Sequence, residues 1–333
     1  MAKRKFMEEF KNRVLEKFGE TRAIEEVILH SIGEVPETEE AKQFVRDTNC
    51  KYFGVDTSAS LLGNFAEIKM LSKDSSKHNF IRLDMDELYQ HPWQEIMENV
   101  GEQLGYAETI ESNASDVLDS FSDYQRIKGR LIIRPLNYTA HKGRLNGYVY
   151  RVIGDIALVL YVVVMDDEAN SVLNTTKVPS EIAEQWDISR EDLFSETMVN
   201  TMKFSPARIY TNILAIEDTL DSESALMEPG FIKKHLSDNA IPLVTTARKT
   251  NGAVSLFYPG VKEKIAEMFD GSFYVAFTSI HEAMLHKTGS HSPESIKRHL
   301  VATNRAFGSA ETLTSEVYYY NKDTKEFTVC AID

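Results

Sequence analysis

The sequence contains few cysteines, glycines and prolines for its 333 residues. It has 2 Cys, 16 Gly and 9 Pro, and the cysteines, Cys50 and Cys330, lie towards opposite ends of the chain. Two unpatterned cysteines do not make a disulfide framework, which fits a reducing compartment. With an apolar fraction of 42% and a charged fraction of 26%, these values exclude a disordered or collagen-like chain.

Long apolar runs are also missing. The longest extends from Ile156 to Met165, whereas a membrane-spanning helix needs about 20 apolar residues. The basic N-terminus, Met1 to Phe6, leads into an amphipathic helix rather than into the apolar stretch of a secretion signal. We therefore expect a soluble, cytoplasmic protein without membrane contact, in which Ile156–Met165 is a buried strand.

Several motifs that carry chemistry do not occur. The sequence has no Gly-x-Gly-x-x-Gly, no Gly-x-x-x-x-Gly-Lys-Ser/Thr, no Gly-x-Ser-x-Gly and no Cys-x-x-Cys. Nucleotide-binding loops of these types and a nucleophile elbow are therefore unsupported. We expect no cofactor.

Negative charge exceeds positive charge, and it is unevenly distributed. The 51 Asp and Glu against 37 Lys and Arg give a net charge of −14, which disfavours direct nucleic-acid binding. From Leu83 to Asp123 there are 11 acidic residues and no Lys or Arg, and from Tyr124 to Gly154 there are 7 basic residues and no acidic one. Either the two blocks are solvated or pair locally, or the acidic block forms a face for a basic partner.

The order of the predicted elements favours an α+β fold. Strands come mainly in hairpins, and helices follow pairs of strands, which is typical of antiparallel sheets with helices packed on them. We expect an N-terminal helical and hairpin region with an acidic helix at residues 1–124, followed by an α+β domain at residues 125–333.

Local patterns predict two helices in the N-terminal third. Apolar residues spaced by four predict a helix from Phe6 to Phe18, and the helical region is expected to continue through Ala23–Ile32. The second helix should run from about Asp86 to Leu104, because Gly105 fits a helix C-terminus. The polar stretch that follows is expected to be a short helix or a linking segment.

Turn signals predict two hairpins in the rest of the chain. One has its turn at Gly154-Asp155, between two apolar segments. The other is expected from Pro242 to Tyr258, because Asn251-Gly252 is a strong signal for a tight turn.

Seven segments resemble a known family, and they keep that family's order. They are Leu131–Tyr138, Asp155–Tyr161, Trp186–Leu193, Asn200–Pro206, Gly252–Val254, Tyr258–Val261 and Thr278–Glu282. The chain resembles an uncharacterised family of gut anaerobic bacteria, domain of unknown function 5688, from roughly Lys128 to the C-terminus. Phe277-Thr278-Ser279 stands where that family usually has Pro-Ser-Ser. The resemblance implies an α+β cytoplasmic protein and no particular activity, and members often look like accessory proteins of mobile elements.

One candidate site combines His281 and Glu282 with His286, and His291 and His299 follow downstream. Zinc proteases place two histidines four residues apart on one helical face. Here the spacing is five in an extended segment, where residues five apart point to opposite faces. His281 and Glu282 are weak candidates for acid–base catalysis, and His281 and His286 are weak candidates for metal binding. The alternative is that His281 hydrogen-bonds a neighbouring loop.

Carboxylates form two further candidate sites. Asp56 with Glu67 and Lys69 resembles the arrangement by which many nucleases hold Mg²⁺ and a lysine. Asp84 and Asp86 have a spacing seen in metal–nucleotide sites, although helix capping explains them more simply.

Polar residues at predicted element ends form a candidate binding site. Asn137 and Tyr138 end one strand, and Asn200 and Thr201 lie near the end of a helix. These side chains either satisfy local backbone groups or line a pocket for a small ligand or a peptide.

The sequence therefore favours a non-enzymatic interaction protein over an enzyme. Its partner would be a protein that meets an acidic face at Glu95, Glu98 and Glu102, and a basic protein would complement this face. One alternative is a metal-dependent hydrolase that uses His281 and Glu282. Another is an acidic inhibitor that mimics the charge of a nucleic acid and binds a nucleic-acid-handling enzyme.

Overall fold

The structure is a computed structural model, and two compact units make up the chain. The residues that it describes are 2–22, 24–32, 63–71, 78–167, 172–211, 224–229, 231, 235–307 and 311–332. The units are Met1–Asp116 and Val117–Asp333. Antiparallel sheets and helices occur in both, so the predicted α+β fold class is confirmed. The domain boundary expected after residue 124 stays a prediction.

The first unit packs helices on a three-stranded sheet. Its elements are α1 (Ala2–Phe18), β1 (Ile24–Ile32), β2 (Gly63–Leu71), β3 (His78–Asp84), α2 (Met85–Leu88) and α3 (Trp93–Ser120), the last of which continues past the end of the unit. The strand order is β1-β2-β3, and both pairs are antiparallel.

An apolar stripe holds α1 in place, as the sequence predicts. Met7, Phe10, Val14 and Phe18 recur every three or four residues, and all four are buried in one cluster with residues of the sheet and of α3. Burying each such side chain stabilises the fold by roughly 1.5–3 kcal/mol relative to leaving it exposed. Packing of this face therefore determines where the helix lies.

The segment that follows α1 is a strand, so the helical continuation expected for Ala23–Ile32 is wrong. Val27 and Ile28 are β-branched, and such side chains lose rotamer freedom in a helix but fit a pleated strand. Antiparallel pairing with β2 extends over nearly all of β1, and Val27 is buried in the core. Partners distant in sequence thus decide the local structure.

Helix α3 does not end at Gly105, so the helix end predicted there is wrong. One glycine inside a helix costs about 1 kcal/mol relative to alanine. The next turn is secured by two contacts, because Thr109 Oγ1 donates to the Gly105 carbonyl at 2.9 Å and Glu108 forms an ion pair with Arg22. The polar stretch after Gly105 is therefore helical as far as Ser120.

The second unit contains two antiparallel sheets. Its strands among the described residues are β4 (Leu131–Asn137), β5 (Tyr150–Ile153), β6 (Ile156–Asp167), β7 (Val172–Lys177), β8 (Ala207–Tyr210), β9 (Leu243–Thr246), β10 (Phe273–Ala276), β11 (Ala283–Lys287), β12 (Val317–Tyr320) and β13 (Phe327–Val329). In the four-stranded sheet β6 pairs with β4 along one edge and with β5 and β7 along the other. The six-stranded sheet has the order β13-β12-β10-β11-β9-β8.

Helices cover these sheets at several places. They are α4 (Tyr124–Ile127), α5 (Tyr138–His141), α6 (Ser180–Ala183), α7 (Arg190–Phe204), α8 (Val261–Phe269) and α9 (Pro293–Phe307). Helix α7 packs beside β4, where the buried Thr201 Oγ1 accepts a hydrogen bond from the Ile133 N–H at 2.9 Å. Helix α9 packs on β10 and β12. In the part of the chain that the structure describes, no helix is both long and apolar enough to cross a lipid bilayer.

Strand β6 is the apolar run of the sequence, and it is buried as expected. Every residue from Ile156 to Val164 is buried. A strand that pairs on both edges and is covered on both faces has no polar side to present, so the sequence shows no alternation. The predicted hairpin with β5 is confirmed, and its turn is Gly154-Asp155.

The second predicted hairpin is wrong, because Gly252–Phe257 is a 3-10 helix rather than a strand. Strand β9 instead pairs with β8 and β11. The backbone turns at Asn251, which has a left-handed φ of 53°. Gly252 then passes so close to the Thr245 hydroxyl and the His281 carbonyl that a Cβ atom would overlap both.

The turn between β5 and β6 docks on β12 of the other sheet. Tyr318 Oη lies 2.9 Å from the Ile153 carbonyl and 2.8 Å from Asp155 Oδ1, and it accepts from the Asp155 N–H at 3.1 Å. Thr314 Oγ1 donates to Asp155 Oδ2 at 2.6 Å. Gly154 has a φ of +61° at this turn, and a Cβ atom there would overlap the Tyr318 hydroxyl. These contacts join the two sheets.

Replacement of Gly154 tests this junction. Gly154→Ala and Gly147→Ala both place an L residue at positive φ, which costs roughly 1–2 kcal/mol. At Gly154 the methyl group must also displace the Tyr318 hydroxyl and approach Val329 Cγ2 to 2.7 Å, whereas the space around Gly147 is open. We expect Gly154→Ala to lower the free energy of unfolding by a further 1–3 kcal/mol or so. Urea denaturation followed by circular dichroism measures the free energy of unfolding of both variants. An equal decrease in the two variants would show that the contact between Tyr318 and the turn does not stabilise the fold.

Candidate functional site

A cavity of about 380 Å³ lies where α9 faces β10 and β11, in the second unit. Its apolar wall consists of aliphatic side chains, namely Ile241, Ala276, Met284, Ile296 and Leu300. A volume of this size falls in the range of pockets for small molecules.

Polar side chains form the rest of the lining. Three are imidazoles and three are hydroxyls: His286, His291, His299, Thr278, Ser295 and Thr303. We call this cavity the histidine pocket. In the part of the chain that the structure describes, no Lys, Arg, Asp or Glu belongs to its lining.

The period of each element explains why these residues meet. Along β11, Met284 and His286 alternate with Ala283 and Leu285, which are fully buried on the opposite face of the strand. On α9 the polar lining residues Ser295, His299 and Thr303 are spaced by four, and Ile296 and Leu300 form a parallel apolar row. One strand face and one helix face therefore supply most of the lining.

The three imidazoles differ in their hydrogen bonding. His286 Nδ1 is buried and has no hydrogen-bond partner among the described residues, and the His286 and His291 rings stack edge to face with centroids 5.3 Å apart. His299 Nδ1 lies 2.8 Å from the Ser295 carbonyl, which can only accept. Nδ1 of His299 therefore carries the proton, and Nε2 of the neutral ring is an acceptor.

The charge of His286 is suppressed at neutral pH. Burial lowers the pKa of the His286 imidazole, and the positive charges of His291 and His299 lower it further, to about 4. The ring is thus neutral at pH 7. It can act there as a neutral hydrogen-bonding group but not as a fixed cation.

His281 and Glu282, the weak catalytic candidates, lie outside the histidine pocket, in the turn just before β11. His281 Nδ1 accepts from the Asn251 N–H at 3.1 Å, and the His281 carbonyl accepts from Thr245 Oγ1 at 2.7 Å. Glu282 Oε1 accepts from Thr278 Oγ1 at 3.3 Å. The structure thus shows His281 bonded to a neighbouring loop, as the alternative interpretation expects, while catalysis by these residues stays a prediction.

The loop that His281 holds is also held by an arginine. Arg134 Nε donates to Asn251 Oδ1 at 3.2 Å, and another guanidinium nitrogen donates to Thr175 Oγ1 at 2.7 Å. The guanidinium lies 5.0 Å from the centre of the Tyr161 ring. Arg134 and His281 therefore fix the same loop from two sides, and sequence patterns gave no sign of this.

The metal-binding candidates His281 and His286 do not share the pocket, because only His286 lines it. Among the described residues, no group of three or more His, Cys, Asp or Glu side chains is arranged to hold a metal ion. Asp84 Oδ1 accepts from the Glu87 N–H at 3.1 Å where α2 begins, which is the geometry of a helix cap.

The structure describes two of the three residues in the nuclease-like set of Asp56, Glu67 and Lys69. Asp56 lies outside the described residues. Glu67 is buried in β2 with Oε2 4.0 Å from His30 Nε2, and Lys69 forms an ion pair with Glu25 at 2.9 Å. Both charged side chains of this set thus have neighbours within their own sheet.

Glu95, Glu98 and Glu102 are exposed on one side of α3, and we call them the acidic face. Ile96 and Val100 of the same helix are fully buried in the core of the first unit. The carboxylates are therefore carried on a helix that is fixed by its apolar side. Their role in binding stays a prediction.

The predicted binding residues Asn137, Tyr138 and Asn200 are held by separate contacts. Asn137 Oδ1 accepts from the Ala140 N–H at 2.9 Å and so caps α5, which begins at Tyr138. Asn200 Nδ2 donates to the Lys128 carbonyl at 2.7 Å and lines a second, more open cavity of about 400 Å³. Each asparagine satisfies a backbone group, and a role in ligand binding stays a prediction.

Sequence analysis did not identify the hydroxyls of the histidine pocket. Ser295 and Thr303 flank His299 at intervals of four, which places all three on one face of a helix. This polar row, next to the apolar row of Ile296 and Leu300, is the sequence pattern that could have indicated the pocket. The cross-strand position of His286 could not be inferred from the sequence.

Comparison with known proteins identifies a family and no activity. The model of the family of unknown function (DUF5688) matches residues 68–322. The match begins earlier than Lys128, where the sequence resemblance was expected to start, so it includes part of the first unit. No curated protein and no solved structure matches the chain.

Substitution of His281 tests its structural role. His281→Ala removes the acceptor for the Asn251 N–H, so we expect the free energy of unfolding to fall by about 1–2 kcal/mol. His281→Asn keeps an acceptor near the position of Nδ1 and should recover most of this loss. Thermal and urea denaturation of the two variants measure the difference. Wild-type stability in His281→Ala would show that the hydrogen bond does not support the loop.

Proposed function

For this chain, which belongs to the family of unknown function DUF5688, we propose a role in binding a small molecule at the histidine pocket. The observation that carries the proposal is an apolar cavity of about 380 Å³ in which three imidazoles converge. Ligand sites in proteins combine a mostly apolar wall with a few placed polar groups.

The polar groups of the pocket support the same proposal. Within the described residues, the buried His286 Nδ1 has no hydrogen-bond partner, and the half-buried Ser295 and Thr303 line the same pocket. An unsatisfied buried polar atom costs about 1–3 kcal/mol. A ligand that supplies a hydrogen-bond partner for His286 Nδ1 removes this cost, which favours binding of a ligand in the pocket.

We propose binding rather than hydrolysis because of the contacts of His281. Its Nδ1 is occupied by a backbone N–H, and Glu282 is bonded to Thr278 rather than to the imidazole. A general base needs a free nitrogen within reach of substrate and a group that orients the ring. An activity assay tests the hydrolase alternative. The hydrogen bonds of His281 and Glu282 support it less than the histidine pocket supports ligand binding.

Blocking the pocket tests the proposal. Thr303→Phe places a large ring in the cavity, whereas Ala302→Phe places the same ring on the exposed side of α9. We expect fragments detected on the wild type by saturation-transfer NMR to bind Ala302→Phe equally and Thr303→Phe at least about tenfold more weakly, a loss of about 1.4 kcal/mol.

The fragment library should contain small aliphatic acids, amides, alcohols and heteroaromatic compounds. Circular dichroism of both variants shows whether they retain the fold. Unchanged fragment binding in a folded Thr303→Phe variant, or no binding to any of the proteins, would refute a small-molecule site here.

A second candidate function is the docking of a basic protein on the acidic face. The specific observation is that Glu95, Glu98 and Glu102 are exposed on a helix whose other side is buried. Arrays of one charge attract and orient a partner of opposite charge, mainly by raising the association rate. This proposal retains the protein partner and the cytoplasmic location that the sequence suggests.

Charge reversal tests the acidic face. Glu95→Lys, Glu98→Lys and Glu102→Lys together should abolish capture of a basic partner from cell lysate in low salt. The control triple Glu181→Lys, Glu184→Lys and Asp187→Lys changes the net charge equally at exposed positions of the second unit. Quantitative mass spectrometry compares the captured proteins.

The control triple should capture the same partner as the wild type. Equal capture by all three proteins would contradict docking on the acidic face. Loss of the partner in moderate salt is expected for binding through exposed charges. A captured enzyme that acts on nucleic acids would favour the inhibitor that mimics nucleic-acid charge.

A further inference from the structure

We propose that the histidine pocket binds an alkyl monocarboxylate, with the aliphatic chain on its apolar wall and the carboxylate among its imidazoles. This inference rests on the proposed function, since it names the class of ligand for that same pocket. Three observations support it: the aliphatic wall, the positive charge that the imidazoles can carry, and the two hydroxyl groups beside them.

The wall of the pocket fits an alkyl chain. Ile241, Met284, Ile296 and Leu300 are all aliphatic or thioether side chains, and among the described residues no Phe, Tyr or Trp belongs to the lining. Stacking of a planar ligand on a phenyl or indole ring is therefore not available. Contact with a flexible hydrocarbon chain is available. Each CH₂ group that the chain buries contributes about 0.8 kcal/mol to the free energy of binding.

The polar end of the pocket fits an anion. His286, His291 and His299 can become cations, whereas no acidic side chain among the described residues belongs to the lining. The imidazoles repel one another when charged, which is one cause of the low pKa of His286. A carboxylate placed among them replaces this repulsion by attraction and accepts N–H hydrogen bonds.

Two hydroxyls add neutral donors beside the imidazoles. Ser295 and Thr303 are half-buried and line the pocket, and a hydroxyl group can donate one hydrogen bond. The Ser295 backbone N–H is already bonded to Ser292 Oγ at 3.3 Å. Side chains, rather than the N-terminus of α9, would therefore hold the carboxylate.

Acidic and phenolic groups around the pocket do not cancel its preference for an anionic ligand. Glu282 reaches the lining only through its bond to Thr278, and Glu294 lies in the first turn of α9. Tyr274 is the cross-strand neighbour of His286, and burial raises the pKa of its phenol, so it stays neutral. None of the three residues Glu282, Glu294 and Tyr274 lines the cavity.

Proton uptake should accompany binding. In the folded protein the pKa of His286 is about 4, below the ordinary value of 6.5, so the ring is neutral above about pH 5. A bound carboxylate favours the protonated ring and raises this pKa. By linkage, the affinity for a carboxylate then rises as the pH falls towards the unliganded pKa.

A matched pair of ligands tests the inference. Octanoate and octanamide have the same chain and differ in the charge of the head group. Isothermal titration calorimetry at about pH 6 should show octanoate binding about tenfold more tightly, with a smaller preference at about pH 8. Titrations in two buffers of different ionisation enthalpy should show proton uptake for octanoate and none for octanamide.

Variants connect the preference to the imidazoles. His299→Gln, at an exposed ring, and His286→Gln, at a buried one, should each reduce the preference for octanoate while octanamide binding is kept. The exposed His235 lies outside the lining, so His235→Gln is the matched control and should behave as the wild type. Thr303→Phe should weaken both ligands.

The outcomes separate this inference from the proposed function. Equal binding of both ligands, or a preference for octanamide, overturns the carboxylate and leaves the small-molecule site standing. Failure of both ligands, together with an empty fragment screen, overturns the site itself. Octanoate binding that requires added Zn²⁺ overturns direct recognition by the imidazoles and indicates a metal-bridged carboxylate instead.

Discussion

The contact between the Tyr318 hydroxyl and the turn at Asp155 connects the two sheets of the second unit. It brings a hydroxyl group of the six-stranded sheet to the Ile153 carbonyl, the Asp155 N–H and the Asp155 carboxylate at a tight turn of the four-stranded sheet. The same tyrosine lies on β12, which pairs with β10, and β10 pairs with β11, which carries His286. The inter-sheet contact and the histidine pocket therefore belong to one six-stranded sheet, in which β10 lies between the strand of Tyr318 and the strand of His286.

His281 shows why a residue type cannot be assigned a chemical role from its motif. A histidine beside a glutamate suggests catalysis, but this imidazole supports the backbone at Asn251 together with Arg134. The close passage of Gly252 under the His281 carbonyl makes the turn possible. The imidazoles of the histidine pocket lie on β11, in the turn that follows it and on α9, where no short motif marks them.

Strong local patterns predicted part of the fold, and contacts between distant residues decided the rest. The stripe that includes Phe10 gave α1, the apolar run gave β6, and Gly154-Asp155 gave the hairpin. Strand β1 and the continuation of α3 past Gly105 depend on partners distant in sequence, so propensity failed there. Of the candidate site, the individual histidines could be named, but their convergence is a property of the β10–β11 pairing and of the docking of α9.

The outer edge of β4 is poorly suited to pairing with another strand. Backbone N–H groups of alternate residues point to the same edge of a strand, so the nitrogens of Ile133 and Pro135 share the outer edge of β4. The first is taken by Thr201, and the second has no hydrogen to donate. A neighbouring chain therefore meets no continuous row of N–H donors at this edge, which makes β4 a poor template for the edge-to-edge growth by which exposed strands aggregate.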